Sequence, residues 1–263
     1  MGSSMPEGAP IDQRALRAWF ETPLGRSLQT HELHRLRSVL PNLYGTLAAQ
    51  LGRLGPLDLL DACVVPTRVL VEASGEHPGA GVLATPEALP FATGTVDLLL
   101  LPHTLDYCDD PHQVLREVNR VLSPEGHVVV IGFNPWSWWG FRRLFTRRPR
   151  PAPWCGRFLP LARIKDWLQL LDFDLTQGGM LYYRPPIRRE SLMERLRFLD
   201  KAGDRWWPMT AAVYLLVAKK RVVGMTPLRP VWKLVSTNGR AAPEAATRAT
   251  LWRRGSRRGK AVG

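Results

Sequence analysis

The 263-residue sequence predicts an α/β protein built on an open, largely parallel sheet. Val96–Leu101 and Val128–Ile131 are continuously apolar, as in strands covered by helices on both faces. Between them, Pro111–Leu122 carries Val114, Leu115, Val118, Val121 and Leu122 on one apolar stripe, with Asp110 as cap and Pro111 in the first helical position. Strand, helix and strand joined by short links form a βαβ unit, hence a parallel pair with a right-handed crossover.

The remaining elements follow in order. Ile11–Phe20 and Ser27–Leu40 have helical spacing and predict two leading helices separated by a turn at Pro23–Gly25. Short apolar runs bounded by turn residues predict strands at Leu47–Leu51, Arg68–Glu72, Gly81–Leu83, Val96–Leu101 and His127–Phe133. Ser123-Pro124-Glu125-Gly126 ends the central helix and turns the chain into its next strand. A helix over Leu161–Leu171, a strand over Leu175–Tyr182, a helix around Glu190–Lys201 and a strand over Ala211–Ala218 complete the sheet. The domain is expected over residues 11–235, with a helical extension at 11–44 and an insertion at 136–160. A disordered N-terminus (1–10) and tail (236–263) flank it.

Composition excludes several classes. A hydrophobic content of 45% rules out disorder throughout. The three cysteines, Cys63, Cys108 and Cys155, include no CxxC pair, so reduced structural thiols are expected and no metal site. No apolar stretch approaches the roughly 20 residues of a membrane span. The first residues lack the charged-then-apolar order of a secretory signal, so a cytoplasmic location is expected. GxSxG and Walker motifs are missing, which leaves hydrolase and kinase readings without residues.

The net charge of +13 is concentrated. Ser137–Lys165 holds eight basic residues and no acid, and Ser236–Gly263 contributes +6, so the rest of the chain carries −1. The tail has no apolar period. The inner segment is laced with Trp136, Trp138, Trp139, Phe141, Phe145 and Trp154. Arginine mixed with tryptophan suits nucleic acid or an anionic surface such as phospholipid headgroups. A surface loop whose aromatics pack on the domain is the alternative.

The run Thr85–Pro135 contains Leu89-Pro90-Phe91, Val96-Asp97, Arg120-Val121-Leu122 and Pro124-Glu125-Gly126. In type and spacing it resembles the type 11 methyltransferase domain of the class I S-adenosylmethionine-dependent methyltransferases. The segment GFNPWSWWGFRRLF further resembles a bacterial subgroup of methyltransferase-like proteins. The resemblance implies a Rossmann-like sheet that holds S-adenosyl-L-methionine (SAM) along its strand ends.

It also implies roles for particular residues. The cofactor's methionyl part would meet the loop after the first strand, at Gln50 and Gly52. Here Gln50 stands where the family has an acid, and Leu54 replaces a glycine of its GxGxG loop. Glu72, ending the second strand, would accept the ribose hydroxyls. Thr85, Pro86 and Glu87 would border adenine, Thr85 standing where the family often has Asp. Only Ala73–Ala80 occupies the place of the family's next helix, leaving one wall open or to the N-terminal helices. Pro102 would line the cofactor site. His103 and Asp106 are candidates for general base or substrate orientation, or else pack and cap locally. Tyr107, Asn134 and Trp136 are candidate substrate contacts. The expected function is a SAM-dependent methyltransferase of unknown substrate. The eroded loop keeps open a catalytically inactive adaptor, and the basic segments keep open a nucleic-acid-binding module.

Overall fold

A computed structural model describes residues 13–73, 81–146, 150–187 and 207–221, with 195, 196, 199, 200, 203 and 205. The chain divides into a compact unit, residues 1–223, and a second unit, 224–263, outside the described residues. The predicted disordered ends, the Ala73–Ala80 link beyond Ala73, and most of the helix expected around Glu190–Lys201 also lie outside them.

Two helices lead, α1 (Gln13–Phe20) and α2 (Pro23–Val39). The predicted Pro23–Gly25 turn is instead the first turn of α2. Proline is tolerated there because that N–H needs no helical partner, and the Thr22 side chain caps the helix by accepting from Gly25 N at 3.2 Å. The strands are β1 (Leu47–Leu51), β2 (Thr67–Glu72), β3 (Val82–Leu83), β4 (Val96–Pro102), β5 (Leu122–Phe133), β6 (Phe173–Leu181) and β7 (Val213–Lys220). Helices α3 (Thr104–Tyr107), α4 (Pro111–Val121), α5 (Trp138–Phe145) and α6 (Leu161–Leu170) complete the elements.

The sheet order is β3-β2-β1-β4-β5-β7-β6. The first five strands run parallel, and β7 is antiparallel to both β5 and β6. Strand β5 starts five residues earlier than predicted. The expected turn survives inside it as a bulge: Val96 pairs with Leu122 but Leu98 with His127, and Glu125 between them has φ 66°.

The continuously apolar strands serve two cores. Leu98, Leu100, Val129 and Ile131 face α1 and α2, whereas Leu99, Leu101, Val128 and Val130 face α4 and α6. The family-like motif residues act as backbone clamps. Asp97 accepts from Thr46 N (2.7 Å), Leu47 N (3.2 Å) and Ser123 Oγ (2.7 Å), joining β1, β4 and the β5 bulge. These bonds outweigh the opposing effect of burial and hold its carboxyl down at about 2. Glu117 accepts from Leu89 N (2.7 Å) and Arg120 donates to Leu89 O (3.0 Å), so α4 holds the Leu89-Pro90-Phe91 segment by both backbone groups.

The Arg/Trp insertion is partly packed and partly exposed. Trp139 and Trp154 are buried, and their Nε1 atoms donate to Arg184 O (2.9 Å) and Trp139 O (3.2 Å). Gly140 sits against the Pro135 carbonyl, where a Cβ would collide, so α5 can turn back directly on β5. Trp136, Trp138, Phe141 and Phe145 remain exposed.

Candidate functional site

Chain order reverses between β1 and β4, which places a crevice at their carboxyl ends. A cleft of about 270 Å³ lies there. Its walls include the sequence-predicted Gly52, Glu72, Thr85, Pro86, Glu87, Pro102, His103 and Tyr107, together with Leu16 of α1. Helix α1 therefore contributes to a wall.

The loop after β1 is shaped without the family's glycine series. Gly52 has φ +81°, a conformation side chains disfavour, and its N–H donates to Val71 O at 2.8 Å. Gln50 is buried outside the cleft lining and supports the loop by donating from Nε2 to Gly52 O at 2.8 Å. The Arg53 guanidinium folds onto Gly55 O (3.3 Å) and Pro56 O (2.7 Å). Gln29 of α2 accepts from Leu57 N at 3.2 Å, so α2 braces the loop.

Glu72 ends β2 with its carboxylate 1% exposed. One oxygen accepts from Arg53 N at 2.8 Å, and the other from Arg17 Nη2 of α1 at 2.9 Å. Thr85 forms a bridge with Ala88 beside Glu87, fixing the loop after β3.

His103 ends the β4 edge in a left-handed conformation (φ 55°) and is fully buried. As an imidazolium it donates from Nε2 to Glu32 Oε1 of α2 (2.8 Å) and from Nδ1 to Asp106 Oδ2 (3.1 Å). Its ring stacks on Phe133 at 4.1 Å. Burial opposes the charged ring, but the two carboxylates outweigh it and raise its pKa to about 9. Asp106 also accepts from Phe133 N at 2.9 Å, and burial pushes its own pKa up against the pull of His103. The pair thus joins α2, the β4 edge and β5. Both ring nitrogens are engaged by carboxylates, so neither presents a free lone pair to the cleft. Tyr107 lines the cleft while its hydroxyl donates to Pro153 O at 2.9 Å, and burial drives its pKa upward.

Asn134 and Trp136 stand apart from the cleft. Asn134 donates to Met209 O (2.8 Å) and Ala211 O (2.9 Å) and accepts from Trp136 N (3.0 Å), which ties the exit of β5 to the entry of β7. Trp136 lines a second, larger cavity of about 820 Å³ with Trp138, Phe141, Tyr183, Pro185 and Trp207. Phe133 and Leu181 both pair with Val213, so this cavity lies at the same sheet edge as the cleft.

Sequence reasoning missed Arg17 and Glu32, because their partners are 55 and 71 residues away and no local pattern marks such pairs. Among the described residues, no group of His, Cys, Asp and Glu is placed to hold a metal, and no disulfide joins Cys63, Cys108 and Cys155.

A doubly covered sheet of this order with a crevice between β1 and β4 is the architecture of a nucleotide-type ligand binder. A family model described as "Methyltransferase domain" matches residues 44–130. The chain is 32% identical over 221 residues to the uncharacterized protein YafS of Escherichia coli, covering 84% of this chain and 88% of that one. A SAM-dependent methyltransferase from Thermotoga maritima superposes with a TM-score of 0.59 at 17% identity, covering 80% of this chain and 98% of that one. A methyltransferase of Haloferax volcanii, solved with its Trm112 activator, gives 0.55 at 14% identity, covering 82% and 100%. The chain belongs to the class I SAM-dependent methyltransferases. No described helix is long and apolar enough to cross a membrane.

Proposed function

We propose that the protein binds SAM in the β1–β2–β4 cleft and transfers its methyl group to an acceptor. The observation that carries this reading is Glu72, a carboxylate at the end of β2 on the wall of a cleft that also contains left-handed Gly52 and the Thr85–Glu87 loop. The residues fit the parts of the molecule: Gly52 admits the methionyl chain, Glu72 accepts the ribose hydroxyls, and Thr85 or Glu87 accepts from the adenine amine. When bound, SAM supplies an electrophilic methyl on a sulfonium. The chain's own task is then in-line positioning.

At about 270 Å³ the cleft is smaller than the roughly 300–1,000 Å³ usual for such ligands. Arg17 takes a Glu72 oxygen that ribose would use. Binding therefore requires α1 to give way at Arg17. His103 and Asp106 act in this reading as positioning residues that hold the β4 edge, since both ring nitrogens and Asp106 Oδ2 are bonded to Glu32, Phe133 and each other. A proton leaving the acceptor goes to solvent or to the acceptor's own base. The pocket's retained acceptors favour binding over an adaptor that has lost its ligand.

Calorimetric titration with SAM and S-adenosylhomocysteine tests this. Saturable heat is expected, and Glu72→Ala should weaken it by about 10- to 100-fold, the range for hydrogen bonds to a charged group. No heat up to millimolar ligand would sink the proposal, and an unchanged affinity in Glu72→Ala would remove the ribose assignment.

A further inference from the structure

Helix α5 buries one face and exposes the other. Trp139 is fully buried, whereas Trp138, Phe141, Leu144 and Phe145 are 61%, 55%, 69% and 74% exposed. Trp136 ahead of the helix and Trp207 ahead of β7 are 76% and 60% exposed, and both join Trp138 and Phe141 around the 820 Å³ cavity. The Phe141 and Phe145 rings touch at 4.8 Å, extending this surface along the helix. With about 150–250 Å² on each aromatic side chain, the five aromatics leave on the order of 600 Å² of apolar surface in water. That equals or exceeds the largest patch of an ordinary monomer, about 300–600 Å².

The segment that carries α5 has charge of one sign. From Ser137 to Lys165 the sequence has eight basic residues and no acid, and Arg142 of α5 is exposed although its guanidinium also lies over the Trp154 ring at 4.8 Å. A second copy would bring like charges together, and residues 236–263 of the same chain are themselves basic at +6. Both are disfavoured as occupants by repulsion. Nucleic acid would satisfy the arginines and stack on the tryptophans, but it offers nothing for Leu144 or for an apolar cavity of about 820 Å³. Acyl chains beneath anionic headgroups answer both features. A short helix with Trp and Phe on its outer face and Arg beside them is the composition of an element lying in a membrane interface.

We infer that the α5 face, with Trp136 and Trp207, docks on an anionic phospholipid bilayer, the aromatics entering the acyl boundary and the arginines meeting phosphate. The cavity between Trp138 and Trp207 then takes a lipid chain. The proposal does not depend on SAM binding and is tested without it.

The experiment uses the full chain with vesicles of phosphatidylglycerol, of phosphatidylcholine, and of phosphatidylglycerol brominated along its chains. Flotation with the anionic vesicles only is expected, with tryptophan emission quenched by bromine. Phe141→Ser with Phe145→Ser keeps every tryptophan and should lower vesicle affinity by about tenfold and remove most of the quenching. If that variant unfolds by circular dichroism, Leu144→Glu alone provides the same readout. An affinity within about twofold of the parent overturns the proposal. So does binding without quenching, which would be headgroup adhesion by basic residues alone. Salt-sensitive RNA binding lost in the same variant, without vesicle binding, would assign the face to nucleic acid instead.

Discussion

Two regions at the carboxyl edge of the sheet solve opposite problems. In the β1–β2–β4 cleft two charged groups are paired by the chain itself: Glu72 by Arg17 and Arg53 N, and His103 by Glu32 and Asp106. On the α5 side large apolar side chains are left in water. A buried charge must find a partner within the fold or the fold fails, whereas an exposed aromatic merely forgoes a gain. The first region is therefore closed by an intramolecular pair, Arg17 with Glu72, that a ligand must displace, and the second is open to a partner from outside.

The comparison can be broken most sharply at His103. Removing the imidazolium by His103→Ala leaves Glu32 and Asp106 buried and facing each other without their shared cation. A loss of about 3–5 kcal/mol is expected in urea unfolding, the range for breaking a buried pair from one side. The pH dependence has a definite sign. His103 has its pKa raised from 6.5 to about 9 on folding, so its contribution is fully present below pH 6.5 and lost as pH rises through about 9. Asp106, also raised, adds in the same direction: folding favours its protonated form. The parent should lose stability from neutral pH to pH 9 more steeply than the variant. Equal slopes would mean that the triad is not charged as described.

A smaller effect is expected at Arg17. Its side chain is 18% exposed against 1% for Glu72, so the pair is discounted toward the surface range of about 0.2–1 kcal/mol. Arg17→Ala should free a Glu72 oxygen and tighten S-adenosylhomocysteine by about two- to fivefold in calorimetry. Weaker binding would show that Arg17 belongs to the ligand's site, and the cleft would no longer count as closed against its ligand.

Much of this was legible in the sequence where local pattern governs. The strand Leu47–Leu51 and the Asp110-capped helix coincide with prediction to within a residue, because apolar period and caps act over a few positions. The same holds for the cleft lining from Gly52, Glu72, Thr85 and Pro102, since strand ends alone determine it. Pro23 misled because proline starts helices as readily as it ends them. Helix α5 was hidden inside a charge run whose aromatics do not follow one face inward: Trp139 packs while Trp138 and Phe141 do not. What decides the chemistry of the cleft was least legible. Glu32 and Arg17 sit on helices that read only as amphipathic, and their roles appear when the fold brings them to His103 and Glu72. The family-like Asp97 and Arg120 were readable as motif residues, yet the structure uses them as clamps on backbone, away from the cleft lining.

The smallest expected effect is the one that sharpens the contrast. Phe145 is 74% exposed at the last turn of α5, and its ring neighbour among the described residues, Phe141, is itself more than half exposed. Little apolar area leaves water when it folds, so Phe145→Ser should change unfolding stability by no more than about 0.5 kcal/mol. Fully buried Trp139, seven positions before the Thr146 cap, provides the reference on the same helix: Trp139→Ala should cost about 3–5 kcal/mol. Both values come from urea melts of the full chain. If Phe145→Ser cost as much as about 2 kcal/mol, residues of this chain would have to cover the α5 face in solution. The surface would then be part of the fold's own core, and the two regions would differ only in polarity.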